Sequence, residues 1–235
     1  MQQRIFAGLV ALSFSLAVQA EDKLERGIEA YSSGDYHAAY QYAAPLATQG
    51  NPGALNLMGM MYEMGKGVPK DTAKSVDYYR KSAEMGDVYA QFNLGVSYET
   101  GSGVNMNYHE AVRWYRRAAE QGASFAQYNL GTMYEDGKGV ERDYVQAVRW
   151  YRKAAEQGNT QAQNNLARLY QRGKGVEQDF TTAYAWFATA AELGLDAAIT
   201  SRDSIAAKLS KQQLEKAKTM SGQLKQRFAH NQAAQ

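Results

Sequence analysis

The sequence predicts an all-α fold, a right-handed α/α superhelical solenoid of antiparallel helix pairs. First, glycines recur at a 36-residue step, and the segments 86–121 and 122–157 agree at 22 of 36 positions. Second, apolar residues inside each step follow helical spacing. Third, the 235 residues include 21 Gly but only 3 Pro. Self-similarity at such a step is typical of stacked repeats, so we expect four full units over 50–193.

The first twenty residues read as a secretory signal peptide. A short positive start that ends at Arg4 precedes an apolar run from Ile5 to Val18, and small residues lead to a cleavage site near Ala20-Glu21. The alternative is an uncleaved anchor, although the run is shorter than the roughly 20 residues of a membrane-spanning helix. Because no Cys follows the apolar run, we expect no lipid attached to a cysteine there. We expect a periplasmic or secreted protein without membrane insertion after cleavage.

Segment 21–49 predicts a first helix pair, and each following unit predicts two helices joined by a Gly-x-Gly-Val loop. In the third unit Asp143 has the position of an N-cap, because its carboxylate can accept free amide hydrogens. Gly158 then ends the second helix in a left-handed conformation. The apolar stripes of these two helices consist of Ala126, Leu130, Tyr134, Ala147, Trp150, Tyr151, Ala154 and Ala155.

Glycine also recurs in the middle of the first helix of three units, at Gly59, Gly95 and Gly131. A glycine inside a helix costs roughly 0.5–1 kcal/mol relative to alanine. The repetition of that cost predicts close contact between helices at this position.

The C-terminal segment 194–228 predicts capping helices. Ser210 and Gln213 have the spacing of a capping box, and we expect the last helix to end at about Phe228. Residues 229–235 are expected to form a disordered tail. Several Lys and Arg residues make this end basic, which indicates a solvated outer face or, alternatively, a contact for an acidic partner or lipid headgroups.

The units resemble the Sel-1-like repeat, a relative of the tetratricopeptide repeat with a longer loop. The pattern in the third unit is Ala126-x3-Leu130-Gly131-x2-Tyr134-x2-Gly137-x-Gly139-Val140, followed by Asp143, Ala147, Trp150-Tyr151, Ala154-Ala155 and Gly158. The resemblance implies an α/α solenoid that binds proteins or peptides as an adaptor, regulator or assembly factor. Some secreted members carry a cysteine pair in every repeat. This chain has none, so the activities suggested for that branch are not carried over.

In the related tetratricopeptide fold, the first helix of each pair lines a concave groove. The resemblance therefore places Asn93, Asn129 and Asn165 in the groove as a ladder at a 36-residue step. Amide side chains of this kind can pair with the backbone of an extended peptide. The alternative is a polar helix surface or a local structural bond.

The same projection predicts that the groove changes charge along the chain. Acidic residues lie in the earlier units and arginines in the fourth, where a guanidinium could hold a carboxylate of the ligand. Ordinary solvated charge is the alternative. The remaining candidate partner-binding residues are Phe92, Tyr128, Glu99, Glu135, Arg168 and Arg172.

Composition excludes several other classes of function. A formal net charge of +2 gives no overall reason to expect a nucleic acid as partner. The lack of Cys excludes disulfides, thiolate metal sites and cysteine nucleophiles. The Gly-x-Gly loops join helix to helix and lack the Gly-Lys-Ser/Thr ending of a phosphate loop. We expect no cofactor.

Two alternatives to a binding scaffold are considered. Met58, Met61 and Met64 are soft thioether ligands suited to Cu(I), but Met58 takes the core position of Leu94 and Leu130. A cell-wall-active or β-lactam hydrolase would need an acid–base pair, and no carboxylate pair recurs with a suitable spacing. The leading prediction is therefore a non-enzymatic periplasmic scaffold. It binds a protein or extended peptide of unknown identity, within an envelope, signalling or secretion system. The sequence leaves the oligomeric state open.

Overall fold

The computed structural model describes residues 19–233, and within this range every regular element is a helix. The predicted signal peptide lies outside the described residues, apart from residues 19 and 20. Helix α1 covers residues 19–33. The other helices are α2 (Tyr36–Thr48), α3 (Pro52–Met64), α4 (Thr72–Glu84), α5 (Val88–Thr100), α6 (Tyr108–Glu120), α7 (Ser124–Asp136), α8 (Tyr144–Ala155), α9 (Thr160–Arg172), α10 (Phe180–Glu192), α11 (Asp196–Ala206) and α12 (Lys211–Ala233).

The chain forms two compact units, unit 1 up to Asn107 and unit 2 from Tyr108 onward. In unit 1, α3 packs on α4 as a pair, and α2 and α5 pack on either side of this pair. In unit 2, α7 pairs with α8 and α9 with α10, and each pair packs on the next. This helix-pair packing confirms the predicted all-α solenoid architecture.

The predicted helix boundaries have their expected physical causes. The Asp143 carboxylate accepts hydrogen bonds from the backbone N–H groups of Val145 and Gln146 at 2.8 and 3.0 Å, so it caps α8 as predicted. Gly158 follows α8 with φ 88°, the left-handed conformation that we expected. Side-chain N-caps recur at the starts of other helices, at Asn51, Asp71, Asp87, Asn159 and Asp179.

The second glycine of the Gly-x-Gly loop is required by a close approach of two backbones. A Cβ atom on Gly139 would lie 2.2 Å from the carbonyl oxygen of Tyr108, at the start of α6. No side chain fits at that distance. The loop between α7 and α8 thus packs directly against the start of α6.

Mid-helix glycines mark close helix contacts, as the sequence predicted. A Cβ atom on Gly131 would lie 2.6 Å from the ring of Tyr151, which is fully buried on α8. A Cβ atom on Gly59 would lie 2.5 Å from the ring of Tyr79 on α4. The missing side chain makes room for a tyrosine ring in each pair.

The C-terminal helices cap unit 2. Helix α12 packs on α10, where the Trp186 and Phe228 ring centroids are 6.5 Å apart. Ser210 and Gln213 form the predicted capping box, with reciprocal bonds of 2.9 and 3.2 Å. The helix continues to Ala233, beyond the expected end at Phe228. The added residues include two alanines, which favour helix.

Within residues 19–233, none of the helices combines the length and apolar character needed to cross a membrane.

Candidate functional site

A buried tyrosine hydroxyl organises the polar side chains of α7. The Tyr151 hydroxyl donates a hydrogen bond to Oε2 of Glu135 at 2.8 Å and lies 3.1 Å from Oγ1 of Thr132. Burial raises the pKa of Tyr151 well above its ordinary value, and the charge of Glu135 adds to this effect. The tyrosine therefore stays neutral and keeps Glu135 in one orientation.

Helix α9 adds a cation to this cluster. The Nη2 atom of Arg168 lies 3.9 Å from Oε1 of Glu135, and Nη1 donates to Oδ1 of Asn165 at 3.3 Å. The Arg168 side chain is 38% exposed and that of Glu135 is 18% exposed. The guanidinium thus reaches solvent while it remains in contact with a carboxylate beneath it.

Tyr128 and Asn129 complete the surface from α7. The ring of Tyr128 is half-buried and lies 5.9 Å from the ring of Tyr151, centroid to centroid. Asn129 follows it on the same helix and is also half-exposed. We call this set the α7–α9 surface; its members are Tyr128, Asn129, Glu135, Asn165 and Arg168.

Unit 1 uses the corresponding positions differently. The Asn93 amide on α5 donates from Nδ2 to Oδ1 of Asn56 on α3 at 3.0 Å. Phe92 and Glu99 are half-buried on the same helix as Asn93. Asn93 therefore makes a hydrogen bond between two helices, and its role in partner binding stays a prediction.

The predicted change of charge takes another form in the structure. Glu135 and Arg168 lie next to each other rather than in separate regions of a groove. Arg172 lies one turn further along α9 and is exposed. Glu135 thus places a carboxylate of the chain itself beside the guanidinium that was predicted to hold a carboxylate of a ligand.

Sequence reasoning missed the hydrogen-bond partners of the recurring tyrosines. Arg116 on α6 donates to the Tyr134 hydroxyl at 2.7 Å, and Arg152 on α8 donates to the Tyr170 hydroxyl at 2.6 Å. In each bond the arginine precedes the tyrosine by 18 residues. This recurring spacing is the sequence signal from which the bonds could have been predicted. Each bond connects one helix pair to the next within unit 2.

Two of the four methionines of α3 lie in the core. Met58 is 2% exposed and Met61 is fully buried, whereas Met64 is exposed. This placement supports the core interpretation of Met58. Among residues 19–233, no group of three or more His, Cys, Asp or Glu side chains is arranged to hold a metal ion.

Comparison with known proteins agrees with this geometry. The family model for the Sel1 repeat matches residues 52–87, 88–122, 124–159 and 160–195. A search of curated proteins found no match.

Several solved structures are similar. A Sel1 repeat protein from Oxalobacter formigenes is 36% identical, with a TM-score of 0.73, over 84% of this chain and 83% of that one. The protective antigen c5321 of uropathogenic Escherichia coli is 26% identical, with a TM-score of 0.50, over 94% and 73% of the two chains. A Sel1 repeat protein of Klebsiella pneumoniae, at 23% identity and a TM-score of 0.53, shares the fold over 80% and 96%.

Proposed function

We propose, from the premise that this chain belongs to the Sel1 repeat family, that it is a non-enzymatic scaffold whose α7–α9 surface binds an extended segment of a partner protein. Sel1 repeats generally mediate protein–protein interaction. The observation that carries the proposal is that two helices bring an aromatic ring, two amides and a guanidinium to one accessible surface.

The chemistry of this surface suits a peptide backbone together with an acidic group. Asn129 offers two donors and one acceptor, which can pair with a peptide unit. Arg168 has five N–H donors, and its contacts with Glu135 and Asn165 leave others for a ligand carboxylate. Glu135 and Asn165 hold the guanidinium in place, which lowers the entropic cost of binding.

We propose the periplasm as the site of action, within an envelope, signalling or secretion system. The apolar run from Ile5 to Val18 supports this location. Expression in the native host, followed by fractionation and N-terminal sequencing, tests it. A mature chain that begins at Glu21 in the periplasmic fraction is expected, and an intact leader in the cytoplasm would exclude this location.

Site-specific cross-linking tests the binding surface. A photo-reactive amino acid in place of Tyr128 should capture a protein in living cells, and Asn129→Ala or Arg168→Ala should lower the yield several-fold. The same photo-reactive residue at Val145, which is exposed on α8, controls for chance encounters. Unchanged capture in both alanine variants would rule out the α7–α9 surface as the binding site.

A further inference from the structure

Unit 1 contains a carboxylate that is held in the same way as Glu135. Tyr79 is buried on α4, and its hydroxyl donates a hydrogen bond to Oε2 of Glu63 on α3 at 2.7 Å. In unit 2 the Tyr151 hydroxyl donates to Oε2 of Glu135 at 2.8 Å. In each unit this bond leaves Oε1 of the carboxylate able to accept from a second donor.

The two carboxylates differ in what lies beside Oε1. In unit 2 the Arg168 guanidinium, 33 residues after Glu135, lies 3.9 Å from this oxygen. The residue 33 positions after Glu63 is Val96, which is half-exposed on α5 and has neither a charge nor a donor in its side chain. Unit 1 therefore keeps the held carboxylate and lacks the cation that unit 2 supplies from its own chain.

Within the described residues, no other cation takes the place of Arg168. None of the lysines and arginines there forms an ion pair with Glu63. Lys66 follows Glu63 by three residues, but its ammonium lies 4.9 Å from the ring centre of Tyr36 and 5.3 Å from that of Tyr31. It also hydrogen-bonds the Tyr36 hydroxyl. Glu63 thus combines a fixed orientation with a negative charge that no described side chain pairs.

Thioether side chains border this carboxylate on α3. Asn56, Met60, Glu63 and Met64 follow the i, i+4, i+7, i+8 spacing of one helix face. Met60 is half-exposed, and its sulfur lies 4.0 Å from Nδ2 of Asn56. Met64 is 58% exposed. Because methionine adapts its shape to a ligand and long basic side chains bury their methylene stems along apolar surface, these surroundings suit a basic side chain.

We propose that unit 1 binds an arginine side chain of a partner protein at Glu63. The guanidinium donates to Oε1, the oxygen that Arg168 approaches at the matching position of unit 2. The methylene groups of the bound arginine pack on Met60 and Met64. Tyr79 holds the carboxylate in advance, which lowers the entropic cost of binding. This site lies within unit 1 and takes a cation, so it does not depend on the α7–α9 surface, which takes an acidic group.

Titration of the full chain with the peptide N-acetyl-Ala-Arg-Ala-amide tests the proposal. In NMR spectra of protein labelled at the methionine methyl groups, the Met60 and Met64 signals should shift saturably, and the signal of the buried Met58 should not. The same peptide with citrulline in place of arginine is the comparison probe, because citrulline has the shape of arginine without its charge.

Three results of this titration would overturn the proposal. The first is the absence of a saturable shift with the arginine peptide. The second is equal binding of the citrulline peptide, since the carboxylate would then contribute nothing. The third is a shift of the Met60 and Met64 signals that depends on protein concentration without any peptide, because a second copy of this chain would then be the occupant.

Matched variants locate the binding. Glu63→Gln removes the charge but keeps an acceptor for the Tyr79 hydroxyl, and Val96→Arg supplies the cation from the chain itself, as in unit 2. Each should weaken binding of the arginine peptide about tenfold, the loss expected for one hydrogen bond to a charged group. Glu84→Gln removes an exposed carboxylate at the C-terminal end of α4 and should leave the affinity unchanged. Circular dichroism verifies that each variant is folded. Unchanged affinity in a folded Glu63→Gln variant contradicts the proposal.

Discussion

At the scale of single residues, Gly131 is the position where helix propensity and packing oppose each other. Alanine stabilises a helix by about 1 kcal/mol relative to glycine, but its Cβ would lie 2.6 Å from the Tyr151 ring. That ring is fully buried and hydrogen-bonded, so it has little room to move.

We therefore expect Gly131→Ala to lower the free energy of unfolding by about 1–3 kcal/mol, the usual cost of overpacking. Gly222 on α12 is the matched control, because an added Cβ would meet nothing within 4 Å. Gly222→Ala should raise the free energy of unfolding by roughly 0.5–1 kcal/mol. Urea denaturation measures both, and effects of the same sign would refute the packing argument.

The buried tyrosines make stability depend on pH in the alkaline range. Burial, followed by the neighbouring Glu63, raises the pKa of Tyr79, and burial together with Glu135 raises the pKa of Tyr151. Unfolded tyrosine ionises near a pH of about 10. Because the folded pKa is the higher one, this stabilisation is complete below pH ~10 and is lost as the pH rises further.

Each of these tyrosines should contribute a slope of about 1.4 kcal/mol per pH unit above pH ~10. A variant with Tyr79→Phe and Tyr151→Phe should lose stability less steeply over this range. Urea denaturation at a series of pH values measures the slope. An unchanged slope would mean that folding raises the pKa of neither tyrosine hydroxyl.

At the scale of helices, local signals were predictable and contacts between elements were not. Asp143 and Gly158 act on their own helix ends, so their roles could be inferred from sequence. Glu135 was predicted to bind a partner, but its hydrogen bond to Tyr151 was not predicted. The two residues are 16 positions apart, and they meet only because α7 and α8 pack together as a pair. Asn93 was ambiguous for the same reason, since Asn56 lies on another helix.

Helix α12 is held on α10 by few buried side chains, and Phe228 is the last of these described. We expect Phe228→Ala to cost as much as about 3–5 kcal/mol, the usual range for loss of a buried Phe. The loss should be local, with faster amide exchange in α12 and a red shift of Trp186 fluorescence. Amide exchange in α7 should not change. Gln226→Ala, at an exposed position of α12, serves as the control.

At the scale of the whole molecule, the near-neutral total charge conceals an asymmetry between the two units. Unit 1 has 8 basic and 11 acidic residues, and unit 2 has 18 and 13. The repeat pattern was readable from sequence alone. The sequence analysis also predicted acidic residues in the earlier units and basic residues near the C-terminus, and the counts for the two units have the same sense.

An acidic ligand of the basic unit should bind less tightly as ionic strength increases, because salt screens exposed charges. We expect several-fold weaker capture at the α7–α9 surface when sodium chloride is raised from about 0.01 M to 1 M, over which the Debye length falls from about 30 to 3 Å. Cross-linking yield from Tyr128 measures this. Salt-independent capture would indicate an apolar ligand.

The hydrogen bonds between helices have a kinetic consequence. The Tyr151–Glu135 bond joins residues 16 positions apart, and the Asn93–Asn56 bond joins residues 37 positions apart. Proteins dominated by such local contacts have low contact order and fold rapidly, because little loop entropy is lost before each contact forms. A growing polypeptide is therefore expected to close each helix pair once both of its helices have emerged, before its C-terminal helices exist.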